Sequence, residues 1–300
     1  MTAEERFSAL SAIPLKRVGN RSRGPGGFID TIREIAAHRE MLALLVRRDL
    51  KARYKDSALG LVWALVRPLT QLAIYYIVIG KFLGAERGIP DFAIYVFTGL
   101  TAYGLFSEIV AGGTSSIVGN AGLIKKIYLP REVFPLASVG SALFNFCIQL
   151  LILLAATIAL GHPPLTAELI YALPSLAVLL IWGTAFALLL SAANVYLRDI
   201  QYLVEVVLLL LLWASPIVYS WDMAKSFLGG TFLLDVYTNN PVTLAVLGFQ
   251  RAFWTSGHAD TPYPTELLLR LGVAALIGLV FVVVFQRVFS RLQGNFAQAL

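Results

Sequence analysis

Apolar positions Ile35, Leu42, Val46, Leu50 and Tyr54 recur at steps of seven and four. That spacing places them on one stripe of a helix, with Arg48, Lys51 and Lys55 mostly on other faces. Such a helix can lie in a membrane surface, apolar side down and basic side near lipid phosphate. From Ala58 onward charge almost disappears and long continuous apolar runs begin. Six of them read as membrane-crossing helices, at approximately 58–82, 92–117, 133–160, 169–195, 204–219 and 266–289. Between the last two, Pro241 to Trp254 has an apolar helical pattern of only ~14 residues. That is too short to cross and reads as a re-entrant or interfacial helix. Alternating segments of ~10 residues, the mark of an outer-membrane barrel, are absent. The expected fold is therefore all-α and integral to the membrane, with six spans, an amphipathic interfacial helix before them and re-entrant outer helices between spans five and six.

The segments between the runs give an orientation. Residues 1–29 read as a flexible cytoplasmic tail, basic and Gly-rich at RVGNRSRGPGG, and MTAEERFSAL has no apolar core of the signal-peptide kind. Residues 30–57 form the interfacial helix, with Asp30 or Thr31 as its cap and Glu34 completing a capping box with Thr31. Residues 58–290 form the membrane domain, and 291–300 a short cytoplasmic tail. The tail, the interfacial helix, the loop between spans two and three and the turn between spans four and five hold nearly all the Lys and Arg. The opposite loops hold Lys81, Arg87, Lys225, Arg251 and little else. Basic residues stay inside, so both termini are expected in the cytoplasm.

Composition agrees. Charged residues make up 14% of the chain and hydrophobic residues 58%, and the mean hydropathy is +0.74. A soluble domain carries roughly 25% charged residues. The net charge of +6 belongs to the inner surface; no soluble basic domain with a nucleic-acid motif is present, so no nucleic-acid partner is expected. The single cysteine, Cys147, can form no internal disulfide, and His38, His162 and His258 have no partners at metal-ligand spacing.

Catalytic patterns are missing from the sequence. There is no GxxxxGK[ST], no HExxH and no GxSxG, and the acids of the long outer connection are scattered. Energy for any transport must come from another subunit or an ion gradient. The polar groups inside the runs stand out instead. Arg67 precedes Pro68 in the first span, where it either snorkels to the inner headgroups or faces a polar cavity between helices. Glu108 lies near the middle of the second span, where an acid is expensive unless paired or hydrated. Tyr75, Tyr76, Tyr103, Phe106 and Trp213 lie within or at the ends of spans. They read either as packing and belt residues or as the walls of a channel, since aromatic faces suit sugar rings.

Four segments together, RDLKARYKDSALGLVWALVRPL, NAGLIKKIYLPREVFPL, NVYLRDI and NPVTLAVLGFQRAF, resemble the ABC-2 permeases that export polysaccharides and polyol phosphates, among them O-antigen, capsule, teichoic-acid and cell-wall galactan carriers. The resemblance runs from about Ile35 to Arg291. It implies that two copies of the permease pair with two copies of a separate ABC ATPase, which binds ATP and Mg, and that this chain is not itself an enzyme and holds no cofactor. It places ATPase contacts at Arg47, Arg48, Asp49 and Lys51 on the interfacial helix, at Leu123, Lys125, Lys126, Tyr128 and Pro130 in the second–third loop, and at Arg198 and Asp199 in the fourth–fifth turn. It implies a glycan on a polyprenyl diphosphate as substrate, moved through an aromatic-lined channel at the dimer interface. Arg53 and Arg67 are the candidates to meet the diphosphate; Tyr75, Tyr76, Tyr103, Phe106, Glu108 and Trp213 are the channel candidates. The basic segments alone also fit anchors that only fix topology.

Two other readings compete. An ABC-2 permease for a drug or small lipid would share the fold. An integral-membrane polyprenyl-phosphate transferase would need acids gathered at one face to bind a metal, and the acids here are dispersed.

Overall fold

Helices follow the long apolar runs closely. The computed structural model describes residues 26–54, 62–126, 129–257 and 262–300; of residues 26–29, 53, 54, 67 and 297 it describes the backbone alone. In chain order the helices are α1 (Gly26–Ala37), α2 (Arg39–Tyr54), α3 (Trp63–Ile74, continued as the wider π-type turns Tyr75–Phe82), α4 (Phe92–Gly119), α5 (Val133–Ala159), α6 (Ala172–Tyr196), α7 (Ile200–Trp213), α8 (Trp221–Leu228), α9 (Phe232–Thr238), α10 (Pro241–Phe253), α11 (Leu267–Leu292) and α12 (Phe296–Ala299). There is no strand among the described residues. Five stretches, Trp63–Phe82, Phe92–Gly119, Val133–Ala159, Ala167–Tyr196 and Leu267–Asn295, are long and apolar enough to cross a membrane.

The fifth run departs from expectation. Its helix starts at Ile200 and stops at Trp213, where the sequence pattern runs to about residue 219. At 1.5 Å per residue it is about 21 Å long, short of the ~30 Å hydrocarbon layer. Pro216 supplies no amide donor to continue it. Ser215, Pro216, Ile217 and Val218 are instead buried as a turn. Tyr95 Oη donates to the Pro216 carbonyl (2.9 Å) and to that of Tyr219 (2.7 Å), and Gln250 Nε2 also donates to Pro216 O (2.7 Å). Gly99 makes room for the turn, since a Cβ there would lie 3.1 Å from Ile217 Cγ2.

The interfacial helix also differs. It begins at Gly26, so Asp30 and Thr31 lie inside it and do not cap it. At His38 it breaks into α1 and α2, the His38 amide sharing Glu34 O (3.1 Å) and Ile35 O (3.0 Å). Its apolar side docks on protein: Leu45 is buried, and Leu42 and Val46 pack beside it on the start of α5. Gly140 permits this approach, because a Cβ there would meet Val46 Cγ2 at 2.7 Å.

The re-entrant pattern at 241–254 is a helix, α10, ended at Phe253. Asn240 caps it by accepting from the Val242 amide (3.0 Å), with Pro241 at the first helical position. It is buried on nearly every side, against α6, α4 and α11.

Helix α4 is the axis of the bundle, with α5 and α6 against it and α11 against α6. Small residues let α4 and α6 approach: a Cβ on Gly113 would stand 2.4 Å from Ala187 Cβ and 2.9 Å from its Cα. By contrast α3 and α7 are largely uncovered, with Leu69, Ile74 and Phe82, and Leu203, Val206 and Leu210, exposed. In a membrane only lipid or another protein surface can cover such faces.

Candidate functional site

The described residues form two apolar cores. The larger surrounds α4, α6 and α10. The smaller gathers Leu45 of α2, Ile117 of α4, Ile124, Val133 and Phe134 of the second–third loop and α5, Ala192 and Val195 of α6, and Phe289 and Phe296. This second core therefore lies at the roots of the three segments expected to contact an ATPase, with Leu45 just before Arg47, Ile124 within the second–third loop and Val195 just before the fourth–fifth turn. Because Lys and Arg crowd around it, it is called here the basic end.

Polar bonds reinforce the join. Arg48 donates to Asp49 Oδ1 through Nε (3.0 Å) and Nη2 (2.7 Å), and Nη2 also reaches Asn120 Oδ1 (2.7 Å). Asn120 in turn donates to Ser116 O (2.7 Å) at the end of α4. Below it Gln286 Nε2 donates to Thr31 Oγ1 (3.1 Å) and Ser290 Oγ (2.8 Å), and Ser290 Oγ to the buried Glu132 (3.4 Å), tying α1, α5 and α11 together. Tyr196 Oη donates to Leu292 O (2.7 Å).

Among the expected ATPase contacts, Arg47, Arg48, Lys51, Lys125, Lys126, Arg198 and Asp199 are exposed around this core. Leu123 and Pro130 are part of its fabric, half-buried and buried. Tyr128 lies outside the described residues, as do the side chains of Arg53 and Arg67. In the short tail expected at 291–300, the chain makes a tight turn at Gln293–Asn295 and continues as α12, with Phe296 fully buried.

The channel candidates separate. Tyr103 and Phe106 are buried inside the subunit; Tyr103 Oη donates to Leu208 O on α7, and Phe106 meets Phe186 edge-on at 6.4 Å. In the single subunit they are packing residues. Tyr75 and Tyr76 are half-buried, and Trp213 is exposed at the end of α7. Glu108 Oε2 accepts from Asn145 Nδ2 at 2.9 Å. One turn away on α4, Gln149 lies over Gly104, and one turn the other way Ser138 lies against Gly112; Cβ atoms there would be 3.6 Å and 3.4 Å from them. A polar seam thus runs between α4 and α5, half-buried for most of its length. Asn145, Gln149 and Ser138 escaped the sequence reading. Their spacing of seven and four within one apolar run was the available signal.

The opposite end is locked by side chains. Arg251 holds Glu168 through Nε (2.7 Å) and Nη2 (3.2 Å), and its guanidinium stands 4.3 Å from the Tyr171 ring centre. Asp91 accepts from Ser256 and lies 3.3 Å from His162 Nε2. Trp254 Nε1 donates to Pro90 O (2.7 Å). Burial pushes the Tyr237 and Tyr263 phenols above their ordinary range, so both stay neutral. A groove of about 720 Å³ opens between α5 and α6, bounded by Phe146, Leu154, Leu165, Leu173 and Phe249. Its lining side chains carry no nitrogen or oxygen, so it can hold hydrocarbon and not a sugar.

A bundle of apolar helices around a glycine-packed axis, with one short buried helix and one basic end, is the architecture of a multi-span membrane protein. The model for ABC-2 type transporters matches residues 40–254, and the chain belongs to that family. It is similar to an O-antigen export system permease protein RfbA of Myxococcus xanthus, 28% identical over 273 residues, 91% of this chain and 100% of that one. It is also similar to one of the same name from Klebsiella pneumoniae, 25% identical over 262 residues, 87% of this chain and 95% of that one.

Proposed function

We propose that the chain is the membrane subunit of an ATP-driven exporter that moves a polysaccharide linked to polyprenyl diphosphate out of the cytoplasm. The observation that carries the reading is one apolar core that gathers the roots of the three expected contact segments, with Leu42, Leu45 and Val46 just before Arg47, Leu123 and Ile124 in the second–third loop, and Ala192 and Val195 just before the fourth–fifth turn, in a chain whose near-full-length relatives are named for O-antigen export. Two copies of the chain and two of a separate ATPase, which binds ATP and Mg, form the working unit. Both termini are cytoplasmic in the bacterial plasma membrane, as the crowding of Lys and Arg at the basic end supports. The uncovered faces of α3 and α7 suit contact with lipid and with the second copy.

The α4–α5 seam supports a hydrated path. Glu108, Asn145 and Gln149 would each be costly against hydrocarbon, and the half-buried Glu108 and Gln149, with the buried Asn145 holding Glu108, suit a wall that meets water or sugar hydroxyls. The diphosphate requires cations on its way in, because an uncompensated dianion costs many kcal/mol in low dielectric. Arg53 or Arg67 supplies the two-pronged donor set that matches phosphate, which lysine does not.

The test is hydrolysis by permease and ATPase reconstituted together in nanodiscs. A polyprenyl-diphosphate glycan should stimulate it, and a cationic amphiphilic drug or a phospholipid should not. Stimulation by the drug or the phospholipid alone would replace the glycan with that substrate class. Arg53→Lys or Arg67→Lys should lower the ratio of glycan-stimulated to basal hydrolysis. If both respond like the parent, there is no diphosphate clamp, and these cations are surface anchors or ATPase contacts.

A further inference from the structure

Phe296 is the one aromatic residue after α11, in a segment otherwise small or polar up to Leu300. Its ring is fully buried. It meets Phe289 of α11 edge-on at 5.5 Å and Tyr196 at the end of α6 at 6.1 Å, and the Arg131 guanidinium stands 5.6 Å from its centre. Those three neighbours come from three different segments of the basic end. Tyr196 is held a second time, its hydroxyl donating to Leu292 O, a carbonyl at the end of α11 where helix carbonyls lack amide partners.

Immediately beyond Tyr196 the chain enters the turn Leu197, Arg198 and Asp199, all exposed. The described hydrogen bonds of that turn are backbone bonds within it and to the two helices it joins: Leu197 N to Ala193 O (3.0 Å), Ile200 N to Leu197 O (3.1 Å), Gln201 N to Arg198 O (3.4 Å) and Leu203 N to Asp199 O (3.0 Å). The side-chain link between this turn and the rest of the basic end is therefore Tyr196, whose ring meets Phe296 and whose hydroxyl bonds Leu292 O. Phe296 is too deep to touch a partner itself.

We propose that residues 293–300 form a clasp on the α6–α7 turn, with Phe296 the positioning residue that presents Arg198 and Asp199 to the ATPase. The proposal rests on the reading that this turn is an ATPase contact. The surrounding face carries Lys125, Lys126, Arg198, Arg287 and Arg291, all exposed, so the docking surface of the ATPase is acidic.

The experiment uses the full chain co-expressed with a tagged ABC ATPase of the same organism that co-purifies with the parent permease, and reads the permease recovered on the tag. Membrane level and the detergent melting temperature of the permease are read in parallel. Phe296→Ala should lower recovery about tenfold while Phe296→Leu, which refills the site, stays near the parent. Arg198→Glu alone should lower recovery, and adding Phe296→Ala to it should change little, because both act through one turn. Recovery of Phe296→Ala at the parent's level, or losses that multiply in the double variant, overturns the clasp. Should Phe296→Ala vanish from the membrane, Tyr196→Phe decides: it keeps the ring and deletes only the hydroxyl bond to Leu292. Lowered recovery at unchanged membrane level supports the clasp, and parent-like recovery overturns it. A parent permease that retains no ATPase overturns the underlying reading, a result distinct from all of these.

Discussion

The Arg48 guanidinium donates to the Asn120 amide oxygen at 2.7 Å, across 72 residues of chain. One is on the amphipathic helix and the other at the foot of the second span, so the bond fixes an expected ATPase contact, Arg48, against the start of the second–third loop. Both groups are exposed, and an exposed charge-assisted bond of this kind is worth about 1 kcal/mol. Its importance is geometric.

Asn120→Ala is therefore expected to leave membrane level and melting temperature nearly unchanged and to lower export. Arg48→Ala should do the same, and the double variant should be little worse than either single one. Export measured as surface glycan in a strain lacking its own permease checks this. Independent, multiplying losses would show that Arg48 and Asn120 act separately.

Gly113 and Ala187 pack α4 on α6 at a distance that admits no added carbon. Gly113→Ala should destabilise the bundle by about 1–3 kcal/mol, the range for overpacking a filled core. Gly113→Ala with Ala187→Gly should recover part of that. The check is the detergent melting temperature. A Gly113→Ala variant as stable as the parent would mean that α4 and α6 can separate freely.

The charges of the fourth–fifth turn give a third expectation. Arg198→Glu with Asp199→Lys keeps the net charge of the turn and reverses its polarity. The permease should remain in the membrane while export falls. Unchanged export would reduce Arg198 to a topology anchor.

Orientation is checked with single cysteines. In a Cys147→Ser background, Ser226→Cys on α8 should react with an impermeant thiol reagent in intact cells and Gln298→Cys should not. Both positions are exposed. Labelling at Gln298 with protection at Ser226 would invert the chain.

The spans were legible because each apolar run is long and its ends are marked by turn residues: α5 ends at Ala159, one residue before the sequence reading. The fifth run misled because Pro216, Ile217 and Val218 are as apolar as a lipid-facing helix yet are buried as a turn. Hydropathy reports that a residue avoids water and says nothing of whether protein or lipid replaces it. The interfacial helix was legible as amphipathic, but the spacing of its apolar residues does not mark the break at His38, where the amide shares Glu34 O and Ile35 O and the ring Nδ1 also bonds Glu34 O at 2.8 Å. The three expected ATPase contacts were found by resemblance, and the meeting of their roots on one core is a tertiary fact. Phe296 carried no signal, since a lone aromatic in a polar segment is as readily exposed as buried. Glu108 was visible as an anomaly, whereas its partner Asn145 is one polar residue in a long apolar run.

The seam between α4 and α5 also bears on how the chain enters the membrane. Synthesis proceeds from the N-terminus, so α4 leaves the ribosome before α5, α6 and α10, the helices that cover it. Alone it would present Glu108 to hydrocarbon, an arrangement that is expensive on any scale. Asn145 arrives on the next helix and bonds Glu108 directly. The α4–α5 hairpin is therefore better satisfied in lipid than α4 alone, because the carboxylate that α4 carries gains an amide partner only once α5 packs on it.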